Sequence, residues 1–495
     1  MNRVLPVVFV LALSAPAFGQ TVDEQGAKQL SQDLSRYVGK KAVDIGMMKV
    51  SVEGGAYKIA VDFKPVVDLL AKQQPSFRFD FTPYVLLAKP RKDRLWDVSL
   101  DTSPKGSFDL AGPQIPQHFS ISIANNKFSG VYDPGLAAFS SAAGSTAGMT
   151  MISRNPMQSV EATIGAGAGS MNATKSANGG IDFTYSQTMA DFAEAVRFDD
   201  PKHALKFSYT VKSPALSVNA TGKGLKTKPL LDLLAFAVAN EDEATLKANQ
   251  AQLKSLLLAA LPLWERIDGT YGFKDLAVES PVGYFGATEL GTSFGSDGIA
   301  QNGTINYSIT AAGLTIPRNV VPAWSAALLP TEIDLNFGGA NIDLDSVTKK
   351  TIEAFDLNKN PPLPADFGDQ IKADFMAKTP KFVIGHSTVK NGGIEIALEG
   401  EMMFPGAKPV ANVTLDVTGY DRIVESLQTA AKTDPAAAQY FTGALAIKGF
   451  GKTLPDGRLE WVINTKADGS VTVNGAMLKP ADPVGTDNSG EEATP

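Results

Sequence analysis

The chain contains no cysteine. That absence removes disulfide staples, thiolate nucleophiles, zinc–thiolate sites and iron–sulfur clusters together. Stability must therefore come from core burial. Histidine is nearly as scarce, with three residues in 495, at positions 118, 203 and 386. They lie far apart and form neither H-x-H nor H-x-x-x-H, so a zincin-type motif is missing. A basic block is missing too: 45 Lys and Arg stand against 52 Asp and Glu, for a formal net charge of -7. Nucleic-acid binding needs clustered cations, so this composition argues against it. The densest basic run, "KPRKDR" at 89–94, is interrupted by Asp93 and reads as a solvated turn. Beyond the N-terminus no apolar run reaches the ~18 residues of a membrane-spanning helix.

What is present begins with "MNRVLPVVFVLALSAPAFGQ". Arg3 is followed by an apolar stretch over 4–13 and by the small residues Ala15, Ala17 and Gly19. This pattern predicts a cleaved secretory signal over 1–19 and, from its bacterial style, a periplasmic location. With 44% hydrophobic and 20% charged residues the remainder has the composition of a folded protein. The 45 glycines and 30 prolines favour turn-rich β structure.

Two textures alternate along the chain. Period-2 stretches such as "YKIAVDF" (57–63), "FRFDFTPYVLL" (77–87), "HFSISIANNKFSGVY" (118–132) and "LKFSYTVKSPALSVNATG" (205–222) predict strands with one buried and one wet face. Helical stretches follow some of them: "KPVVDLLAKQ" (64–73), "KPLLDLLAFAVA" (228–239) and "EATLKANQAQLKSLLLAALPLWERI" (243–267). The expected fold class is α+β and β-rich. One or more long antiparallel twisted sheets would carry short amphipathic helices on one face. The expected division is an N-terminal β-rich domain over 20–200, an α+β region over 201–357, a proline-rich linker over 358–370, an α+β region over 371–479 and a disordered tail over 480–495.

Each chemical motif has a plainer reading beside it. "GHSTV" (385–389) falls one residue short of the nucleophile elbow G-x-S-x-G, with Val389 where the second glycine belongs. No histidine follows Ser387, and "VKNGGIEIAL" predicts a hairpin rather than the helix an elbow needs. "DLNKNPPLPADF" starts like a calcium loop at Asp356, Asn358 and Asn360, but Pro361 and Phe367 occupy the glycine and glutamate positions. "TIGAGAGSMNATKSANGG" (163–180) lacks both phosphate-loop spacings and leads into a strand, which points to close sheet approach. Asp343 and Asp345 lie just ahead of a helical stretch, where Asp345 reads as a cap. The tryptophans at 96, 264, 324 and 461 read as core or interface anchors. No catalytic, cofactor-binding or metal-binding residue is assigned, and no cofactor is expected.

"NVTLDVTGYDRIVESLQ" (412–428) followed by "LEWVINTKADGSVTVNGAML" (459–478) joins a strand, an x-G-Y-D turn and a helix to a D-G hairpin. This resembles the AsmA-like and YdgA-like β-rich envelope proteins of Gram-negative bacteria and related periplasmic proteins of alphaproteobacteria. The resemblance covers about the last hundred residues and brings no catalytic motif with it. The strand-plus-helix units and the missing catalytic sets favour a periplasmic binding or envelope-maintenance protein, with a lipid or other apolar ligand in a groove between sheet and helices. Two alternatives stay open: a secreted hydrolase with a carboxylate-based site, and a protein-interaction scaffold.

Overall fold

The computed structural model describes residues 22–73, 77–110, 116–200, 202–405 and 408–483. The expected signal segment and most of the expected tail lie outside these residues. Strand takes up 50% of the structure and helix 24%. The strands form a long antiparallel sheet. No helix among the described residues is long and apolar enough to cross a membrane.

The chain forms two compact units. Unit 1 takes the described part of 1–300 together with 344–365, and unit 2 takes 301–343 with the described part of 366–495. One limit, between 365 and 366, falls inside the expected linker over 358–370, and the others match no expected boundary. The expected boundary at 200 falls in a tight hairpin, because Asp200 pairs with Leu205. The charged, proline-containing "RFDDPKH" is turn chemistry rather than a linker. The proline-rich stretch is held against the residues before it, since the Pro362 carbonyl accepts from the Asp356 amide at 2.8 Å. Gln250 donates to Asp356 Oδ1 at 3.3 Å and accepts from the Leu357 amide at 3.0 Å.

Unit 1 begins with α1 (Glu24–Val38), capped by Asp23, whose Oδ1 accepts from the Gly26 amide at 2.8 Å. Its buried residues Ala27, Leu30, Leu34 and Tyr37 recur every three or four positions and form one stripe. That stripe packs on β1 (Met48–Glu53), β2 (Ala56–Val61), β4 (Tyr84–Pro90), β5 (Trp96–Thr102) and β8 (Asn126–Asp133) through Met48, Tyr57, Leu86, Trp96 and Tyr132. Gly26 is required there, since a Cβ on it would overlap the Tyr57 hydroxyl. After α2 (Lys40–Asp44) and α3 (Lys64–Gln73), Leu231 of α4 (Thr227–Ala239) closes the same core. The stretch expected as one helix over 243–267 is shorter and split, into α5 (Glu243–Ala248) and α6 (Gln250–Ala260). Pro262 cannot continue the helix, and Arg266 already opens the next strand.

The rest of unit 1 is a meander of very long strands, each interrupted near its middle. β3 (Phe77–Phe81) and β4 are separated by two residues, and so are β6 (Lys105–Leu110) and β5. Single residues, Asn125 and Ala147, separate β7 (Gln117–Ala124) from β8 and β9 (Ala138–Thr146) from β10 (Gly148–Arg154). Gly165 and Ala166 separate β11 (Gln158–Ile164) from β12 (Gly167–Lys175). β13 (Ile181–Asp200) spans both halves, pairing with β12 through its first half and β11 through its second. β14 (Leu205–Leu225), β15 (Arg266–Ser280) and β16 (Gly283–Asp297) continue the sheet, and the ladder is interrupted at Asp191, Pro214 and Asp275 with the same register on both sides. Asn125, Asp191 and Asp275 all take positive φ (46°, 50° and 45°). Asn and Asp tolerate this region because their side chains bond locally.

Unit 2 orders its strands β17 (Gly303–Ala312), β18 (Glu332–Ile342), β19 (Lys381–Asn391), β20 (Ile394–Met403), β21 (Val410–Thr418), β23 (Leu459–Thr465), β24 (Val471–Val473) and β25 (Ala476–Lys479), all antiparallel. The expected hairpin at 391–393 is present, with Asn391 opposite Ile394 and Gly392 at φ 55°. α9 (Tyr420–Ala430) and α10 (Pro435–Lys448) connect β21 to the β23 hairpin. Val417, Leu459, Trp461 and Val473 form the local core beneath Tyr420 and Ile423. The chain stays ordered past 480, where Asp482 bonds Lys408 and Lys479, so the expected disorder does not begin at that residue.

Two outcomes follow. Leu34→Ala, at a fully buried site, should cost about 2–5 kcal/mol in urea unfolding of the chain. Hydrogen bonds from Lys408 and Lys479 hold the Asp482 carboxyl down from 3.8 to about 2. Its contribution is thus complete above the ordinary carboxylate range and is lost as pH falls through the lowered value. Amide protection in β24 and β25 should drop on acidification in that window, and Asp482→Asn should abolish that pH dependence in hydrogen-exchange NMR.

Candidate functional site

Ser387 is 5% exposed and His386 points the opposite way, as a strand requires. No helix begins at the serine. The Ser387 hydroxyl accepts from the Asn336 amide at 2.9 Å and lies within bonding distance of the Asn336 and Gly385 carbonyls, at 3.2 and 3.0 Å. The register skips here, because Ile384 pairs with Gly400 and Ser387 with Leu398. Ser387 is therefore a stitch across a β-bulge, with its oxygen committed to backbone.

The same device recurs along the strand breaks of unit 1. The Lys105 amide donates to Thr82 Oγ1 at 3.1 Å, and the Asn125 amide to Ser103 Oγ at 3.0 Å. Thr146 donates to the Ala124 carbonyl at 3.0 Å. Ser213, 2% exposed, reaches the Ala215 and Lys274 carbonyls at 2.9 and 2.6 Å. Bulges free backbone groups from the ladder, and short hydroxyl side chains satisfy them.

The other weighed residues are placed separately. Each histidine sits beside one carboxylate: His118 by Asp109 and His203 by Asp200, both at 2.6 Å, and His386 by Glu399 at 3.4 Å. The His203 contact lowers the Asp200 carboxyl below its usual range. No group of three or more metal-ligating side chains occurs among the described residues. Asp345 is inside the first turn of α7 (Leu344–Ala354), paired with Lys349 at 2.9 Å, so it is not the cap residue. Buried Asp343 has Lys378 at 3.6 Å. Asp356 folds back onto Asn358, whose amide donates to it at 3.0 Å. Gly165 and Gly167 lie where β11 and β12 meet β13, and the Gly165 amide donates to the Ala190 carbonyl at 2.8 Å. Arg91 in the basic run pairs with Asp93 and Asp97 and closes the β4–β5 turn.

Two surfaces of unit 1 remain as sites. Directly opposed residues of neighbouring strands share a face, so the pairing register sorts the sheet into two sides. On the side away from the α1 core, Ser99 opposes Ser129, which opposes Ala143 and then Ser170. The row continues through Ser186, Asn219, Thr270 and Ser293. Two open concavities of about 680 and 580 Å³ lie on this side and share Ser99, Ser129 and Ala143. Asp101, Lys127 and Glu53 line the first, and Asp97 and Asn172 the second. Neither is an enclosed apolar tunnel.

The helix-bearing side is different. Near α1 it holds Trp96, Val98 and Tyr132. Beyond the strand breaks it is mostly apolar, with Ser153 and Glu194 as polar members of its rows. Phe79, Phe108 and Phe119 oppose one another in turn. Phe81, Gly106, Ile121, Met151 and Ala162 form the adjoining row. The first row passes through Ser153 to Val160, Val196 and Tyr209, and Phe198 stacks on Phe207 at 5.2 Å. Phe192 meets Phe273 at 5.6 Å across the break, which keeps both halves on one side. Most of these side chains are half-buried, and Glu194 is the acid among them. The signal for these rows was in the text of the strands ("SISIA", "GMTMIS", "VEATI"), but the pairing that aligns them was not.

No family profile matches the chain, and neither a curated protein nor a solved structure matches it significantly.

Removing the Ser387 hydroxyl orphans the Asn336 amide. Ser387→Ala should therefore cost about 1–3 kcal/mol of unfolding free energy while leaving any background p-nitrophenyl ester hydrolysis unchanged.

Proposed function

We propose that this chain is a non-enzymatic binding protein of the bacterial envelope, acting in the periplasm, that holds a long apolar ligand such as a lipid acyl chain. The observation that carries this reading is the apolar side of the unit 1 sheet beyond the strand breaks. There Ile121, Met151 and Ala162 continue a row begun by Phe81, with no polar residue until Glu194. A flexible chain laid along such rows gains about 25 cal/mol for each Å² of apolar surface removed from water. Beyond Glu194 the row continues through Val211, Val278 and Phe285, so a single acid lies within an otherwise apolar row, the kind of polar group that fixes orientation. The hydroxyl-rich concavities on the other side support a second reading, an extended polar ligand lying across Ser99, Ser129 and Ser170.

Titration with a dansyl-labelled fatty acid separates the two. The double variant Ile121→Asp, Met151→Asp places charges in the apolar row and should weaken binding by about tenfold or more. Ser129→Leu, on the opposite side, should leave it unchanged. No fluorescence gain with the native chain, and no lipid in organic extracts of the purified protein, would sink the acyl-chain reading.

A further inference from the structure

The hydroxyls at the strand breaks are committed to backbone, whereas those in the two concavities of unit 1 are not. The side chains of Ser99, Ser129, Ser141, Ser145 and Asn172 make no hydrogen bond with the described residues. Further along the same side the polar groups bond one another. Ser170 lies 3.4 Å from Ser186, and Asn219 donates to Thr270 at 3.4 Å. Open hydrogen-bonding capacity is therefore concentrated in the concavities.

The register gives them one floor. Leu87, Ser99, Ser129, Ala143 and Ser170 oppose one another in turn across β4, β5, β8, β9 and β12. One flank carries Asp97, Val131, Ser141 and Asn172, and the other carries Asp101, Lys127 and Ser145. Small residues in the middle and longer ones beside them make a trough. Because both concavities include Ser99, Ser129 and Ala143, that trough is continuous. Its four strand spacings amount to about 19 Å, the reach of a short oligosaccharide.

We propose that the trough binds an extended, uncharged oligosaccharide. The lining decides the class of ligand. A serine hydroxyl both donates and accepts, as every sugar hydroxyl does, so the two match in either sense. The carboxylates of Asp97 and Asp101 are acceptors for hydroxyls on adjacent sugar carbons. Each acid of the lining already has a cation beside it: Asp97 has Arg91 at 3.1 Å, Asp101 has Lys127 at 3.7 Å and Glu53 has Lys58 at 2.6 Å. No unbalanced charge is left to select an ion. An apolar chain would cover these polar groups without pairing them, which is costly. A peptide strand would be recognised through its backbone at a sheet edge. Every strand of the trough has a neighbour on both sides, so no edge is offered there. Leu87 and Val131 add apolar surface for the C–H face of a sugar ring. This inference rests on the extended-polar-ligand reading above and is independent of the acyl-chain reading.

Isothermal titration of the full chain with maltohexaose, cellohexaose and chitohexaose tests it. At least one of these sugars should bind, with an affinity unchanged between about 0.1 and about 0.5 M NaCl. Ser129→Leu fills the middle of the trough from an exposed position and should weaken binding by about tenfold or more, with an unchanged thermal melt. Should that variant melt early, Asn172→Ala on the exposed flank should weaken binding in the same titration. Ser208→Leu, exposed on β14 beyond the strand breaks, should bind like the native chain. Absence of binding by all three sugars, affinity lost at high salt, or a folded Ser129→Leu variant that binds like the native chain overturns the proposal. Dextran sulfate separates this failure from that of the broader reading. If it binds where the neutral sugars do not, and Ser129→Leu abolishes that binding, the uncharged class is wrong while the polar-ligand reading stands. If neither binds, both fall.

Discussion

A strand of twenty residues that alternated without interruption would hold each side chain to one fixed face from end to end. In unit 1 the long strands break the ladder once, side by side, while the pairing register is kept across the break. The backbone groups released at these points are taken up by short hydroxyls: Thr82, Ser103, Thr146 and Ser213. Without them the interruption would leave orphaned amides and carbonyls inside a sheet, at a cost comparable to a lost hydrogen bond each. The two halves of the sheet, the packing of α1 and the extended apolar side all rest on this stitching.

The interruption also explains how one sheet serves two purposes. On the α1 side the proximal half is sealed by helices around Trp96 and Tyr132. The distal half keeps its apolar character on the same side, as the Phe192–Phe273 contact shows. The positive-φ residues Asn125, Asp191 and Asp275 turn the alternation over at the break while the register holds, so each half keeps its own facing pattern. A stability core and a candidate binding surface can then occupy one set of strands. The opposite side is free to carry serines, threonines and alanines, whose small size leaves room for the two concavities.

Much of the fold was legible from period and punctuation. The strand at 205–222, the helix at 64–73 and the Asn-Gly-Gly hairpin were visible because each has a strong local signal. The breaks were not. "HFSISIANNKFSGVY" reads as one strand, since a single residue at Asn125 barely disturbs the pattern on either side. The helix expected through Ile267 stops at Ala260, because apolar periodicity cannot tell a helix from a strand entered after proline. At the site level, "GHSTV" announced a serine of consequence, but local letters could not say that its oxygen is spent on Asn336. The apolar rows and the trough depend on which strands become neighbours, and that is a tertiary decision.

The alignment of the breaks has a consequence for how such a chain can drift over evolutionary time. In an ordinary sheet, gaining or losing one residue inverts every side chain downstream until the next turn. Here an inversion can be absorbed at Asn125, Asp191 or Asp275, where a positive-φ residue already breaks the alternation. The distal half is thereby insulated: its strands can lengthen, shorten or trade apolar residues while Leu34, Tyr57 and Trp96 keep their partners. Lineages descended from one such scaffold would preserve the proximal core and diverge at the far end of the same strands.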